Sequence, residues 1–175
     1  LRDGAIYYNR ASRNYVTVFY QQSREWLEEA IAQRLIRLFG VHCRVDEYAP
    51  NRWRVRAYSK ELYRIWHEDF GFPEEGIGQA HWTTPNGIMT ANRDAKCAYI
   101  RGFFDAEGDV SPRTSTSPYI GFSQKNRQVL EDLQQLLKEL NLPTGHIHTI
   151  DAKSGTLRFV IASKQALTRF ITIIN

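Results

Sequence analysis

Residues 98–110 read Ala98-Tyr-Ile-Arg-Gly-Phe-Phe-Asp-Ala-Glu-Gly-Asp-Val110, and the pattern changes character partway through. Ala98, Gly102 and Ala106 recur at every fourth position, which leaves one face of a helix almost bare of side chain. Such a stripe admits the close approach of another helix backbone, while Tyr99, Ile100, Phe103 and Phe104 supply bulk to anchor the helix in a core. Glu107-Gly108 follows, with glycine where a helix stops. A carboxylate at the tip of an otherwise buried helix is a poor packing group, and taken alone Glu107 reads as a solvated acid that ends a core helix.

Composition sets the outer bounds. The 175 residues suffice for one sizeable domain or two small ones, and the apolar and charged fractions are those of an ordinary globular protein. A net charge of +4 permits nucleic-acid binding without requiring it. Cys43 and Cys97 are far apart and belong to no CxxC pair, so they read as buried thiols of a reducing compartment. No apolar run reaches membrane-spanning length and no signal-peptide pattern opens the chain, so no membrane partner and a cytoplasmic, intracellular location are expected. The chain opens on Leu1, as a sequence beginning inside a longer protein would.

In chain order, residues 5–9 and 15–21 read as strands, and Ser23 caps an amphipathic helix that Gly40 stops after Phe39. Residues 41–48 and 53–58 read as a hairpin, and Ser59 caps a further helix to about Asp69. The same order then recurs: strands at 109–113 and 118–124, a helix at 127–140, strands at 146–150 and 156–162, and a last helix from Ser163. The repetition extends to residues. Phe19-Tyr-Gln-Gln-Ser-Arg24 corresponds to Phe122-Ser-Gln-Lys-Asn-Arg127 at an offset of 103, and Ser59-Lys60 to Ser163-Lys164 at 104. The latter offset sets Glu107-Gly108 opposite Asp3-Gly4. Repeats at this spacing mean two copies of one supersecondary unit. We divide the chain into repeats at 1–72 and 95–175, joined by a linker at 73–94 with Pro73, Pro85 and several glycines.

The string Ile100-Arg-Gly-Phe-Phe-Asp-Ala-Glu-Gly108 resembles the LAGLIDADG motif of homing endonucleases and RNA maturases, with Gly102, Asp105, Ala106 and Gly108 matching outright and Glu107 in the place of its final acid. The likeness is greatest to the two-repeat, monomeric, archaeal intron-encoded enzymes. It implies an α/β (α+β) fold of two pseudo-symmetric αββαββα repeats. Two antiparallel sheets would form a saddle on double-stranded DNA, around a central pair of motif helices.

The resemblance also implies the chemistry: hydrolysis of both strands with Mg²⁺, or Mn²⁺ or Ca²⁺ in the same sites, leaving 3′ overhangs. The metal-binding acids would be Asp3 and Glu107, one per repeat, with the carbonyls of Arg2 and Ala106 as further ligands. Gln21 and Gln124, closing the second strand of each repeat, would stand near the metal-bound water, with Lys125 beside them. A basic residue near the leaving group falls on Arg56 in the first repeat and on Val160 in the second, so the two halves are unequally equipped. In the first repeat little of the motif helix remains within the sequence, and Arg2 stands where the second has Ala106.

A sheet covered on one face leaves the other free to read bases. With Val55 and Ala57 inward, Arg54 and Arg56 project outward. With Cys43 and Val45 inward, His42, Arg44 and Asp46 do the same. Arg158, His146 and His148 fill the corresponding places downstream, and Tyr7, Asn9, Arg10, Arg13, Ser111, Arg113 and Thr114 extend the set. Arginine, asparagine, tyrosine, histidine and serine suit base edges as well as phosphates. Two rival functions share this fold: an intron RNA maturase, and a DNA-binding module without catalysis. The target sequence and an intron or intein origin leave no trace in the pattern.

Overall fold

The computed structural model describes residues 4–72, 83–112, 114 and 116–174. The chain forms two compact units, Leu1–Gly76 and Ile77–Asn175.

The first unit is a four-stranded antiparallel sheet in the order β1-β2-β4-β3, built from β1 (Gly4–Asn9), β2 (Asn14–Gln21), β3 (Cys43–Ala49) and β4 (Arg52–Tyr58). The turn after β1 is made by Asn9, whose Oδ1 accepts the N–H groups of Ala11 and Ser12 at 3.1 Å each, an Asx turn followed by Arg13 at φ +53°. The Ser23 hydroxyl accepts the Trp26 N–H at 3.1 Å and starts α1 (Arg24–Trp26), which continues as a π-helical stretch, Leu27–Ala32, into α2 (Gln33–Phe39). Gly40 at φ +63° ends it. Ser59 likewise caps α3 (Lys60–Arg64), whose last stretch, Ile65–Asp69, is again π-helical. These helices cover one sheet face in two small clusters, Leu27 with Ala32 and Val55, and Leu35 with Ala57 and Leu62.

The second unit repeats the plan in the order β5-β6-β8-β7, with β5 (Gly108–Val110), β6 (Ile120–Gln124), β7 (His148–Asp151) and β8 (Thr156–Ile161). A one-turn helix α4 (Asn86–Met89) precedes α5 (Arg93–Glu107), which Asn92 caps by accepting the Ala95 N–H at 3.0 Å. Then come α6 (Arg127–Glu139), capped by Asn126, and α7 (Lys164–Ile174), capped by Ser163. Here the core is one continuous cluster centred on Phe122. Its ring stacks on Phe159 at 5.1 Å and meets the edges of Phe104 and Phe170 at 5.8 and 6.0 Å.

Strand pairing supports the equivalence of the two units. Gly4 pairs with Phe19 and Phe19 with Val55, and in the same way Gly108 pairs with Phe122 and Phe122 with Phe159. Gly4 and Gly108 thus open their sheets at matching positions, as the repeat register expects.

Several boundaries differ from the sequence expectation. Helix α5 begins inside the stretch expected as a linker, and that stretch also holds α4. β5 stops at Val110, so Ser111 and Thr114 lie beyond it, although the Ser111 N–H still donates to the Tyr119 carbonyl at 2.9 Å and its hydroxyl accepts the Tyr119 N–H at 3.0 Å. β7 starts at His148, leaving His146 in the preceding loop. Both shortened strands are edge strands, paired on one side only, and an edge ends as soon as its partner turns away.

Candidate active site and nucleic-acid interface

Helix α5 delivers Glu107 as its last residue, half-buried, and the next residue already belongs to the sheet. Gly108 makes that junction possible, because a Cβ there would run into the ring and carbonyl of Phe104. The last carbonyls of a helix lack intrahelical partners and form the negative end of its dipole. Glu107 adds a carboxylate at that end, Asp105 lies exposed two residues earlier, and the last turn carries no basic residue. The helix end therefore offers hard oxygen donors and lacks positive charge of its own, which fits a hard divalent cation. No group of three or more His, Cys, Asp or Glu capable of holding a metal exists among the described residues. A Mg²⁺ ion fits such a sparse donor set, since it keeps several waters and takes phosphate oxygens. Ala106 sits exposed in the same last turn. Asp3, Arg2 and Arg113 lie outside the described residues.

Gln21 and Gln124 end β2 and β6 as expected, and each turns its side-chain oxygen back onto the next backbone N–H, at 2.8 Å to Gln22 and 2.7 Å to Lys125. Gln124 is buried and Gln21 exposed. That leaves each amide nitrogen as the group able to donate to a ligand. Lys125 is exposed.

In the first sheet, alternation places Tyr7 and Asn9 of β1, Tyr20 of β2, Arg54, Arg56 and Tyr58 of β4, and Arg44, Asp46 and Tyr48 of β3 on the face opposite the helices. Asp46, on the edge strand β3, ties two of these arginines together. Its Oδ2 accepts from Arg54 Nε at 3.0 Å and its Oδ1 from Arg56 at 2.8 Å. The Arg54 guanidinium lies 5.8 Å from the Tyr48 ring centre, and Arg56 the same distance from Tyr58. Burial pushes Asp46 up, but the hydrogen bonds from Arg54 and Arg56 outweigh it and hold the carboxyl below its usual range. Burial, then the adjacent Tyr20, pushes the Tyr7 phenol up against the opposing pull of Arg56 and Arg54. Arg10 and His42 are exposed beside the strands, as is Arg13 in its turn.

In the second sheet the open face carries Asp109, Gly121, Ser123, Arg158, Val160 and His148. Arg158 forms an ion pair with Asp109 and lies 4.7 Å from the Tyr119 ring centre. The pair crosses above Gly121, where any Cβ would strike both partners. His148 and His146 are exposed, and the His148 ring Nδ1 contacts the His146 carbonyl at 3.2 Å. Register sets Arg158 (facing Ser123) in the place of Arg54 (facing Tyr20), and Val160 in the place of Arg56. Nothing in the sequence alone singles out Asp109, Tyr119 and Gly121, or Tyr20, Tyr48 and Tyr58. The even spacing of Tyr20 and Tyr58 with outward neighbours is the one available signal.

These features define a duplicated sheet-and-helix protein with an acidic helix end feeding an open, arginine-bearing sheet. A family model described as the LAGLIDADG-like domain matches residues 94–175. Homing endonuclease I-ApeI of Aeropyrum pernix is 33% identical over 172 residues, covering 97% of this chain and 75% of that enzyme. Among solved structures, I-DmoI in complex with DNA and Mn superposes with a TM-score of 0.71 at 23% identity, covering 98% of this chain and 87% of that one. The N-terminal LAGLIDADG domain of DUF199/WhiA superposes at 0.53 with 15% identity, over 91% of this chain and 72% of that one. The chain belongs to the LAGLIDADG homing endonuclease family.

Proposed function

We propose that the chain is a site-specific, Mg²⁺-dependent endonuclease that hydrolyses both strands of a long duplex DNA site. The observation that carries this reading is the junction at residues 107–108, where the acid ending α5 passes directly into a sheet whose open face bears Arg158. A divalent ion bound there would lower the pKa of a water and offset charge on the phosphate. Glu107 would hold that ion with the Ala106 carbonyl, and Asp3 would do the same for the first repeat. The amide nitrogens of Gln21 and Gln124 would orient a water. Arg56 would neutralise the leaving oxygen in one half, and Val160 cannot do so in the other. The open-face arginines, tyrosines, Asn9, His146 and His148 would engage the groove and backbone, with Lys125, Arg10 and Arg13 on phosphates. Both repeats lie in one chain, so a monomer suffices. No helix among the described residues is long and apolar enough to cross a membrane.

The test is cleavage of duplex DNA spanning the host insertion junction, in Mg²⁺ and then in Ca²⁺, by the native chain and Glu107→Gln. A double-strand break in Mg²⁺ that Glu107→Gln reduces on the order of a thousandfold, with binding retained, is the expected outcome. Binding by the native chain without any cutting would end the nuclease reading.

A further inference from the structure

The acids that the two open faces carry on their edge strands, Asp46 on β3 and Asp109 on β5, need an explanation. On the reading above, both faces meet a polyanion, where a carboxylate cancels a cation and repels phosphate. Partly exposed ion pairs add little to fold stability. Yet each pair is closely supported: Tyr48 and Tyr58 lie under Arg54 and Arg56, Tyr119 lies under Arg158, and Gly121 leaves room for the Arg158–Asp109 pair. Arg56 and Arg158 each also bury an Nε with no acceptor among the described residues.

We propose that Asp46 and Asp109 are specificity-determining positioning residues. Asp46 fixes Arg54 and Arg56 and Asp109 fixes Arg158, which turns Arg54 and Arg158 from flexible cations into directed donors for base edges, and each acid penalises placements that bring phosphate close. The proposal rests on the DNA-cleaving reading and adds how that surface discriminates. It also predicts that the halves of the target differ. Asp46 draws Arg54 and Arg56 toward β3, whereas Asp109 draws Arg158 across Gly121 toward β5, the opposite edge of its sheet. Equivalent arginines therefore face different ways. Because an arginine fork pairs with guanine in the major groove, the guanines they favour should fall at non-equivalent positions in the two half-sites.

The experiment uses the full chain in Ca²⁺ with a randomised duplex library, selecting first with the native protein. Binding of the selected duplex and of a scrambled duplex is then measured across salt for the native chain, Asp46→Asn, Asp109→Asn and Gly121→Ala. Base preference should broaden in one half-site only for Asp46→Asn, and in the other only for Asp109→Asn. Discrimination should fall by about tenfold in each. For the scrambled duplex, affinity should rise and the salt slope steepen by about one unit in both Asn variants, because a repelling charge is gone. Gly121→Ala keeps both charges but displaces the pair, so it should broaden the same half-site as Asp109→Asn with the native salt slope. Equal weakening toward both duplexes, with base preference unchanged, would overturn the proposal and make the acids merely structural. A native chain that selects no sequence would overturn both this proposal and the site-specific reading, whereas selection that the variants leave intact would overturn this one alone.

Discussion

The two sheets have the same strand order and matching registers, yet their open faces are wired differently. In the first, one acid holds two arginines among tyrosines. In the second, one arginine reaches over a glycine to an acid on the opposite edge strand. Four of the differences decide the wiring: His148 stands where the first sheet has Asp46, Val160 where it has Arg56, Asp109 where it has Ala5, and Gly121 where it has Val18. Duplication thus preserves the frame, which the buried face dictates, while the free face diverges at little cost to folding.

The first way to test that contrast is to remove the frame itself. Phe122→Ala should cost about 3–5 kcal/mol in chemical denaturation, since it empties the centre of one continuous core. Leu27→Ala in the first unit should cost less, about 2–3 kcal/mol, because its thinner surroundings can collapse around the gap. Equal costs would mean that the cores are not as unlike as their clusters indicate. Next in size, Arg56→Ala should slow cutting of one strand by roughly 100-fold, so that nicked plasmid accumulates, whereas Val160→Ala should leave both strands near native rates. Equal slowing of both strands would remove the catalytic side of the asymmetry. Ser59→Ala, which deprives the Leu62 N–H of its cap, should cost about 1 kcal/mol. The smallest effect concerns pH. Asp46 is lowered in the folded state, so the stability it lends is present above its unfolded value near 3.9 and is lost as pH falls through the lower folded value. The difference in stability between the native chain and Asp46→Asn should hold constant from pH 7 to about 5, then shrink as pH falls past about 4 and be gone only below the lower folded value. A difference that grows on acidification would refute the sign.

Much of this is legible in the sequence because it depends on local chemistry. Ser23, Ser59 and Gly40 mark helix ends through hydrogen bonds within one turn, and the alternation Arg54-Val55-Arg56-Ala57 settles which face is buried. The motif places Glu107 at a helix terminus on its glycine alone. What escapes needs long-range register. Asp109 and Arg158 lie 49 residues apart, and only pairing of β5 with β6 and of β6 with β8 brings them together over Gly121. Gly121 looks like an ordinary strand glycine until its neighbours are known. The π-helical stretches at Leu27–Ala32 and Ile65–Asp69 have no sequence cause that we can identify.

The unequal cores also bear on time. Amide protons of β6 and β8 lie against a single continuous hydrophobic cluster, whereas those of β2 and β4 are backed by two small ones. Protection from solvent exchange follows the cost of local opening. Deuterium should therefore enter the first unit well before the second, and the strands that open soonest include β4, which carries Arg54 and Arg56. Half of the proposed recognition surface would then open and close repeatedly while the other half stays closed far longer.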